Sequence, residues 1–142
     1  MNSKRTLHFL FIMFIVWLML QVRREKTDKR IEPLNDQTFA AAIARSPAVV
    51  VEFGAPWCGP CRQVQPALNR LVDTLEHRVK FYEVNIDEAP EIGKYYAGNG
   101  IPLVAVFVNG EEKEALLGAH RYENYRDMIL RHVYPQPETS SP

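Results

Sequence analysis

The chain has 142 residues, and its 17 Lys and Arg balance 17 Asp and Glu to a formal net charge of zero. The charge is unevenly spread: residues 1–30 hold seven Lys and Arg against two Asp and Glu, a net charge of +5, and residues 31–142 carry a net charge of −5. The length favours one domain with additional segments. The acidic main part lacks a basic patch interleaved with aromatic residues, so nucleic acid is not expected as a partner.

An apolar run near the N-terminus predicts a membrane anchor. Residues 6–22 contain no Lys, Arg, Asp or Glu, and as a helix they would reach about 25 Å, slightly short of a bilayer core of about 30 Å. Flanking Lys and Arg side chains can extend to cover the difference. The alternatives are a buried core helix, which the flanking charges disfavour, and a cleaved signal peptide. Residues 9–26 contain no Ala, Gly, Ser, Thr or Cys that could form a cleavage site.

The charges beside this run bear on which side of the membrane the domain faces. Lys4 and Arg5 precede the run, whereas five Lys and Arg lie within residues 23–30, directly after it. Because the more positive flank of a span usually stays in the cytoplasm, this count favours the cytoplasmic face. We expect a single-pass N-terminal anchor and a basic linker over residues 1–30.

After the linker, the pattern predicts helix, strand, helix, strand and helix. Asn35 or Asp36 should cap the first helix, which ends at Ser46-Pro47. The strand that starts at Ala48 is almost continuously apolar, as expected for a strand covered on both faces. A long amphipathic helix follows over residues 64–75, with Pro66 inside it as a source of a kink. A strand at residues 79–85 and a short helix at 89–97 come next.

The last part of the chain predicts a hairpin and a helix. Asn109-Gly110 favours a type I′ turn between strands at residues 103–108 and 113–117, and Gly118 should break or bulge the second strand. Tyr122, Tyr125, Ile129 and Val133 share one face of a final helix, and residues 135–142 read as a disordered tail. The whole order indicates an α/β fold with a mixed central sheet.

The only two cysteines lie in the segment Trp57-Cys58-Gly59-Pro60-Cys61, between the apolar strand and the long helix. A sulfur at a helix N-terminus is stabilised as the thiolate, the reactive form in disulfide exchange. Cys58 is therefore expected to be the exposed nucleophile, and Cys61, one turn inside the helix and buried, should resolve the mixed disulfide. The alternatives are a structural disulfide or half of a zinc site, but there is no third cysteine, and the histidines lack ligand spacing. No metal is expected.

This segment, with Val51-Glu52-Phe53 before it, resembles the active site of the thioredoxin family, and the resemblance covers about residues 34–133. It implies the thioredoxin fold over a domain at 31–134. It also implies that Glu52 accepts a proton from the buried cysteine, a role that suits a buried acid. The family's cis-proline matches Pro102. By the same resemblance, the substrate should bind at Trp57, Gly59, Pro60, Ile101 and Pro102.

Three positions depart from the commonest pattern of the family. Gly54 stands where thioredoxins often have tryptophan, Glu83 where a lysine usually accompanies the buried acid, and Leu103 where threonine is common. Glu83 near Glu52 would bring like charges together and raise at least one pKa. These changes bear on the reduction potential and the choice of partner more than on the basic chemistry.

The resemblance implies a protein-disulfide reductase, and the apolar N-terminal run adds a membrane tether. The sequence has no haem motif, P-loop or nucleotide-binding fingerprint, so no bound cofactor is expected. The partners of the reductase would be protein disulfides and an electron donor such as a thioredoxin reductase or a membrane thiol carrier. Many anchored thioredoxin-like proteins of bacteria face outward, so an extracytoplasmic oxidant or isomerase is the close alternative. A non-catalytic interaction module is the other, although it would have no need of both cysteines, the acid and the proline.

Overall fold

The structure, a computed structural model, describes residues 8, 10–17 and 31–134. Its five strands are β1 (Ile31–Leu34), β2 (Ala48–Gly54), β3 (Lys80–Asn85), β4 (Leu103–Val108) and β5 (Glu111–Leu117). The four helices of residues 31–134 are α1 (Phe39–Arg45), α2 (Cys61–Leu75), α3 (Pro90–Ala97) and α4 (Tyr122–Val133).

The strands form one mixed sheet in the order β1-β3-β2-β4-β5. β1, β3 and β2 run parallel, and β4 and β5 are antiparallel to their neighbours. This order places β2 at the centre, paired on both edges. Because the carboxyl ends of β1, β2 and β3 meet at one edge of the sheet, the segment that follows β2 lies where ligand and active sites of such sheets usually form.

Alternating residues of β2 and β4 supply two hydrophobic cores, one on each face of the sheet. Val50, Val104 and Val106 pack with residues of α2 and α4, whereas Val49, Val51 and Ala105 pack with residues of α1 and α3. This arrangement confirms that β2 is covered on both faces. Glu52 is two residues after Val50 on β2, so its side chain lies on the same face of the sheet, the one covered by α2.

The hairpin and the final helix agree with their predictions. Asn109 and Gly110 both have positive φ, 53° and 83°, as a type I′ turn requires. β5 begins two residues before the predicted start, and α4 spans the predicted residues. Gly118 also has a positive φ, 90°, directly after β5.

Two expectations for the start of the domain were wrong. β1 was not predicted, because its four residues with a central proline read as the end of the linker; its ends, Ile31 and Leu34, are buried and its middle is exposed. The helix α1 begins at Phe39, and its N-cap residue, Thr38, makes no side-chain capping bond. Asn35 instead closes a turn, since its Oδ1 accepts a hydrogen bond from the Thr38 N–H at 3.0 Å.

Asp36, the other candidate cap of α1, instead bonds to the start of α3. Its Oδ1 accepts a hydrogen bond from the Ile92 N–H at 2.9 Å, in the first turn of α3. A distant carboxylate thus satisfies one of the free N–H groups at the start of α3 and ties the turn before α1 to that helix. Sequence spacing carries no signal for such a contact, which joins residues 56 positions apart.

About half of the predicted anchor at residues 6–22, and all of the linker at 23–30 and the tail at 135–142, lie outside the described residues. Residues 10–17 are helical, and their apolar side chains, from Leu10 to Trp17, are exposed. Among the residues that the structure describes, no helix is long and apolar enough to cross a membrane.

Candidate active site

The two cysteines lie in the turn between β2 and α2. The Cys58 N–H donates to the carbonyl of Ala55 at 3.0 Å, which folds the chain back after the strand. Gly59 and Pro60 follow, and α2 begins at Cys61. The turn thus brings the side chains of Cys58 and Cys61 together at the start of the helix, where they form a disulfide with Cα atoms 5.4 Å apart.

The sulfur of Cys58 receives one of the free N–H groups of α2. The Cys61 N–H donates to Cys58 Sγ at 3.2 Å, while the next two N–H groups, of Arg62 and Gln63, bond to the carbonyls of Gly59 and Pro60. A helix N–H directed at this sulfur favours its thiolate form once the disulfide is reduced. The contact therefore favours the thiolate of Cys58, the cysteine that the sequence argument expects to be the nucleophile.

Two details of the predicted cysteine geometry were wrong. Cys61 was expected one turn inside the helix and Cys58 at its N-terminus, but α2 begins only at Cys61, so Cys58 lies three residues before it. Cys58 is also no more exposed than Cys61: their exposed fractions are 5% and 6%. The disulfide explains the equal burial, since it holds the sulfur of Cys58 against that of Cys61, which α2 packs onto the sheet.

Glu52 is buried on β2, beneath the turn. Its exposed fraction is 3%, and it is the one charged residue among the buried side chains of the described chain. Burial, and secondly the charge of Glu83, raise its pKa to about 7. Glu83 is the register partner of Glu52 on β3. Both predicted features, burial and a raised pKa from these two causes, are confirmed.

Gly54 lies between the acid and the resolving cysteine. A Cβ placed on Gly54 would stand 3.3 Å from Cys61 Sγ and 3.5 Å from Glu52 Oε1. Because Gly54 has no side chain, Cys61 Sγ and Glu52 Oε1 line the same open space beside it. That space belongs to a cleft of about 440 Å³ at the carboxyl ends of β1, β2 and β3, which Glu52, Gly54 and Cys61 line together.

Gln65 holds the other oxygen of the acid. Its Nε2 donates to Glu52 Oε2 at 2.5 Å. Gln65 was not predicted as a site residue, although its place four positions after Cys61 puts both side chains on the same face of the helix.

Trp57 is exposed beside the disulfide, with an exposed fraction of 66%. Its indole Nε1 donates to Asp87 Oδ2 at 2.9 Å, and Asp87 lies in the turn after β3. This bond fixes the orientation of a large apolar surface at the rim of the site. The sequence carries no signal for this bond, because the two residues are 30 positions apart.

The remaining predicted binding residues lie in two loops. Gly59 and Pro60 are exposed in the turn of the disulfide. The Ile101–Pro102 peptide bond is cis, as the resemblance implied, and Pro102 is buried directly before β4. β4 begins with Leu103 opposite Phe53, so Pro102 enters the sheet beside the end of β2, from which the disulfide turn starts.

The comparisons with known proteins agree with this arrangement. Residues 30–131 match the family model described as thioredoxin. The chain is 38% identical over 96 residues to thioredoxin M2, chloroplastic, of Arabidopsis thaliana, which covers 67% of this chain and 52% of that protein. It is 36% identical to a thioredoxin of Rickettsia bellii over 70% of this chain and 96% of that protein. The chain spans about half the length of the plant relatives.

Solved structures give the same result. The oxidised form of mitochondrial thioredoxin 3 from Saccharomyces cerevisiae superposes with a TM-score of 0.65 at 29% identity, over 70% of this chain and 92% of that one. A thioredoxin of Malassezia sympodialis superposes with a TM-score of 0.67 at 27% identity, over 72% and 93% of the two chains.

Proposed function

We infer that this chain, which belongs to the thioredoxin family, is a thiol–disulfide oxidoreductase that reduces protein disulfides with Cys58 and Cys61. The observation that carries this function is the disulfide at the start of α2, with a helix N–H donated to the sulfur of Cys58. A structural disulfide would not need this bond, which favours the thiolate of one particular cysteine.

The reaction proceeds in two exchanges between sulfur atoms. The Cys58 thiolate attacks a partner disulfide, forms a Cys58–partner S–S bond and releases the other partner sulfur as a thiolate, which takes up a proton. The Cys61 thiolate then attacks Cys58 Sγ, the Cys58–Cys61 bond forms, and the second partner sulfur leaves. Two electrons pass from the dithiol to the partner, and the protein ends in the disulfide form seen here.

Glu52 supplies the base for the second exchange. Cys61 must lose its proton before it can attack, and its side chain is buried, with an exposed fraction of 6%. Glu52 Oε1 borders the same space as Cys61 Sγ, and a carboxyl whose pKa is raised to about 7 exchanges protons near neutral pH. We assign Glu52 the role of accepting the Cys61 proton.

The surface around the turn would receive the partner protein. Trp57, Gly59 and Pro60 are exposed in the turn of the disulfide, and Ile101 and Pro102 directly precede β4, whose first residue lies opposite Phe53 on β2. A partner segment that contains a disulfide would lie between these two loops. The oxidised protein then needs a two-electron donor, a thioredoxin reductase or a membrane thiol carrier.

The N-terminal run supports a further proposal, that the domain is tethered to a membrane. The apolar side chains of residues 10–17 are exposed, and an exposed apolar helical surface of this kind marks an interaction site. Together with the uncharged run at residues 6–22 and its basic flanks, they fit a single-pass anchor. The count of flanking charges favours the cytoplasmic face.

Insulin reduction tests the proposed activity. The full-length chain in mild detergent, with a small dithiol as electron source, should accelerate the precipitation of the insulin B chain over the dithiol alone. The Cys58→Ser/Cys61→Ser double variant is the matched control and should give no acceleration. Equal rates for the two proteins would exclude the proposed function.

A further inference from the structure

We propose that Gln65 is a positioning residue of the proton transfer: it holds Glu52 by Oε2 and so leaves Oε1 directed toward Cys61. This inference rests on the proposed function and extends it to a residue that has no part in the sequence argument. The hydrogen bond of the Gln65 side chain goes to Glu52, so Gln65 would act through that carboxylate.

The geometry separates the two oxygens of the carboxylate. Gln65 Nε2 donates to Oε2, and Oε1 borders the site of the missing Gly54 side chain, as does Cys61 Sγ. A carboxylate free to rotate about its last bond would exchange these positions. With one oxygen held, the lone pairs of the other stay on the side of the sulfur.

The helical repeat of α2 places Gln65 on the face that this role requires. It follows Cys61 by four residues, so the two side chains share one face of the helix, and that face covers the end of β2. Gln65 is half-buried at the wall of the cleft. Within the part of the chain that the structure describes, it is the one side chain that donates a hydrogen bond to Glu52.

The charged and titratable groups around Glu52 come from three elements, and none of them forms an ion pair with its carboxylate in the described residues. On β3, Glu83 repels the carboxylate. On α4, Tyr125 has a pKa raised by burial and, to a lesser extent, by the charge of Glu52. On α2, Arg62 lines the same cleft, but no Lys or Arg of the described residues forms an ion pair with Glu52.

A donated N–H favours the carboxylate over the carboxylic acid. Gln65 therefore opposes the effects of burial and of Glu83, and keeps Glu52 able to accept a proton at neutral pH. Removing the donor should raise the pKa of Glu52 further, by about one unit, given the usual strength of a hydrogen bond to a charged group.

The test is Gln65→Met, which keeps the length of the side chain but removes the donor. In stopped-flow experiments on the full-length chain, the mixed disulfide formed with a peptide disulfide is followed as Cys61 resolves it, between pH 5 and 9. We expect the midpoint of this pH profile to move up by about one unit and the rate at pH 6 to fall about tenfold. Gln63→Met, an exposed change on the same helix, should leave the profile unchanged.

A second variant separates hydrogen bonding from packing. Gln65→Glu keeps the shape and can donate only when it is protonated, so its resolution rate should approach that of wild type at low pH and fall below it at neutral pH. A Gln65→Met profile that overlays wild type, while wild type reduces insulin normally, overturns the positioning role and leaves the proposed function standing. A wild-type chain that fails to reduce insulin overturns the proposed function itself.

Discussion

Glu52 and Glu83 are register partners on the neighbouring parallel strands β2 and β3. Both side chains lie on the face of the sheet that α2 covers, and both line the same cleft. Glu83 is the second largest cause of the raised pKa of Glu52, after burial. The domain therefore carries an acid pair at a position where the family pattern usually places an acid beside a lysine.

Replacing Glu83 by lysine should reverse its effect on Glu52. The positive charge would favour ionised Glu52, and its pKa should fall from about 7 toward the ordinary value of 4.5. Carbon NMR titration of the Glu52 carboxyl in the oxidised protein measures this directly. Glu88→Lys is the matched control, because Glu88 lines the same cleft but is not a register partner of Glu52. An unchanged Glu52 titration in Glu83→Lys would contradict the electrostatic coupling.

Glu52→Gln should make stability less dependent on pH. The pKa of Glu52 is raised on folding, so the stability contributed by its protonated form is fully present below pH 4.5, the unfolded value, and is lost as the pH rises through about 7. The wild type should lose on the order of 3 kcal/mol relative to Glu52→Gln across this window. Urea unfolding of the oxidised proteins at pH 4, 5, 6, 7 and 8 measures the difference.

Glu112→Gln provides the control for this experiment, because it makes the same chemical change at an exposed glutamate of β5. A difference between wild type and Glu52→Gln that stays constant over the whole range would mean that Glu52 does not titrate on folding. The relay role would then have to be abandoned.

The sequence predicted the features of the site that depend on local order. A buried apolar strand, two cysteines in a turn and a helix after them place the sulfurs and Glu52 without any knowledge of the rest of the chain. The same holds for the Asn109-Gly110 turn, whose residues tolerate the positive φ that it needs.

The features that the sequence did not predict depend on long-range contacts. β1 pairs with β3 nearly 50 residues later, and its short, proline-containing sequence has no periodicity of its own. Asp36 and Asp87 bond to groups 56 and 30 positions away. Their functions follow from the way the sheet brings its loops together, which single-sequence patterns do not encode.

The two cysteines should react with iodoacetamide at different rates. In the reduced protein Cys58 should react faster than Cys61 at neutral pH, because the Cys61 N–H is directed at the sulfur of Cys58. Mass spectrometry of peptides after brief alkylation gives the ratio. Cys61→Ser should also accumulate a mixed disulfide with the partner, whereas Cys58→Ser should form none. Faster labelling of Cys61 would reverse the assigned roles.

The proposed anchor predicts a membrane-bound protein. The full-length chain should remain in the membrane fraction after a carbonate wash, whereas a shortened chain that begins at Ile31 should stay in the supernatant. Replacing Ile12 and Val16, both exposed in the helical segment, by arginine should release the full-length protein, because each charge is costly at the bilayer centre. A mature N-terminus found downstream of Val22 would contradict the anchor.

The bond between Trp57 and Asp87 should affect protein substrates more than small ones. Asp87→Ala removes the acceptor of the indole N–H, so the exposed ring loses its fixed orientation beside Cys58. We expect the KM for insulin to rise about fivefold, which corresponds to the loss of about 1 kcal/mol from one hydrogen bond. The rate with a small aromatic disulfide should be unchanged, because such a substrate needs only the Cys58 sulfur.

Asp87→Asn distinguishes the hydrogen bond from the charge. Its amide oxygen can still accept from the indole, so its KM for insulin should stay close to that of wild type. If Asp87→Asn raises KM as much as Asp87→Ala, the negative charge matters and the orientation of Trp57 does not. If neither variant changes KM, the exposed indole does not contribute to the binding of protein substrates.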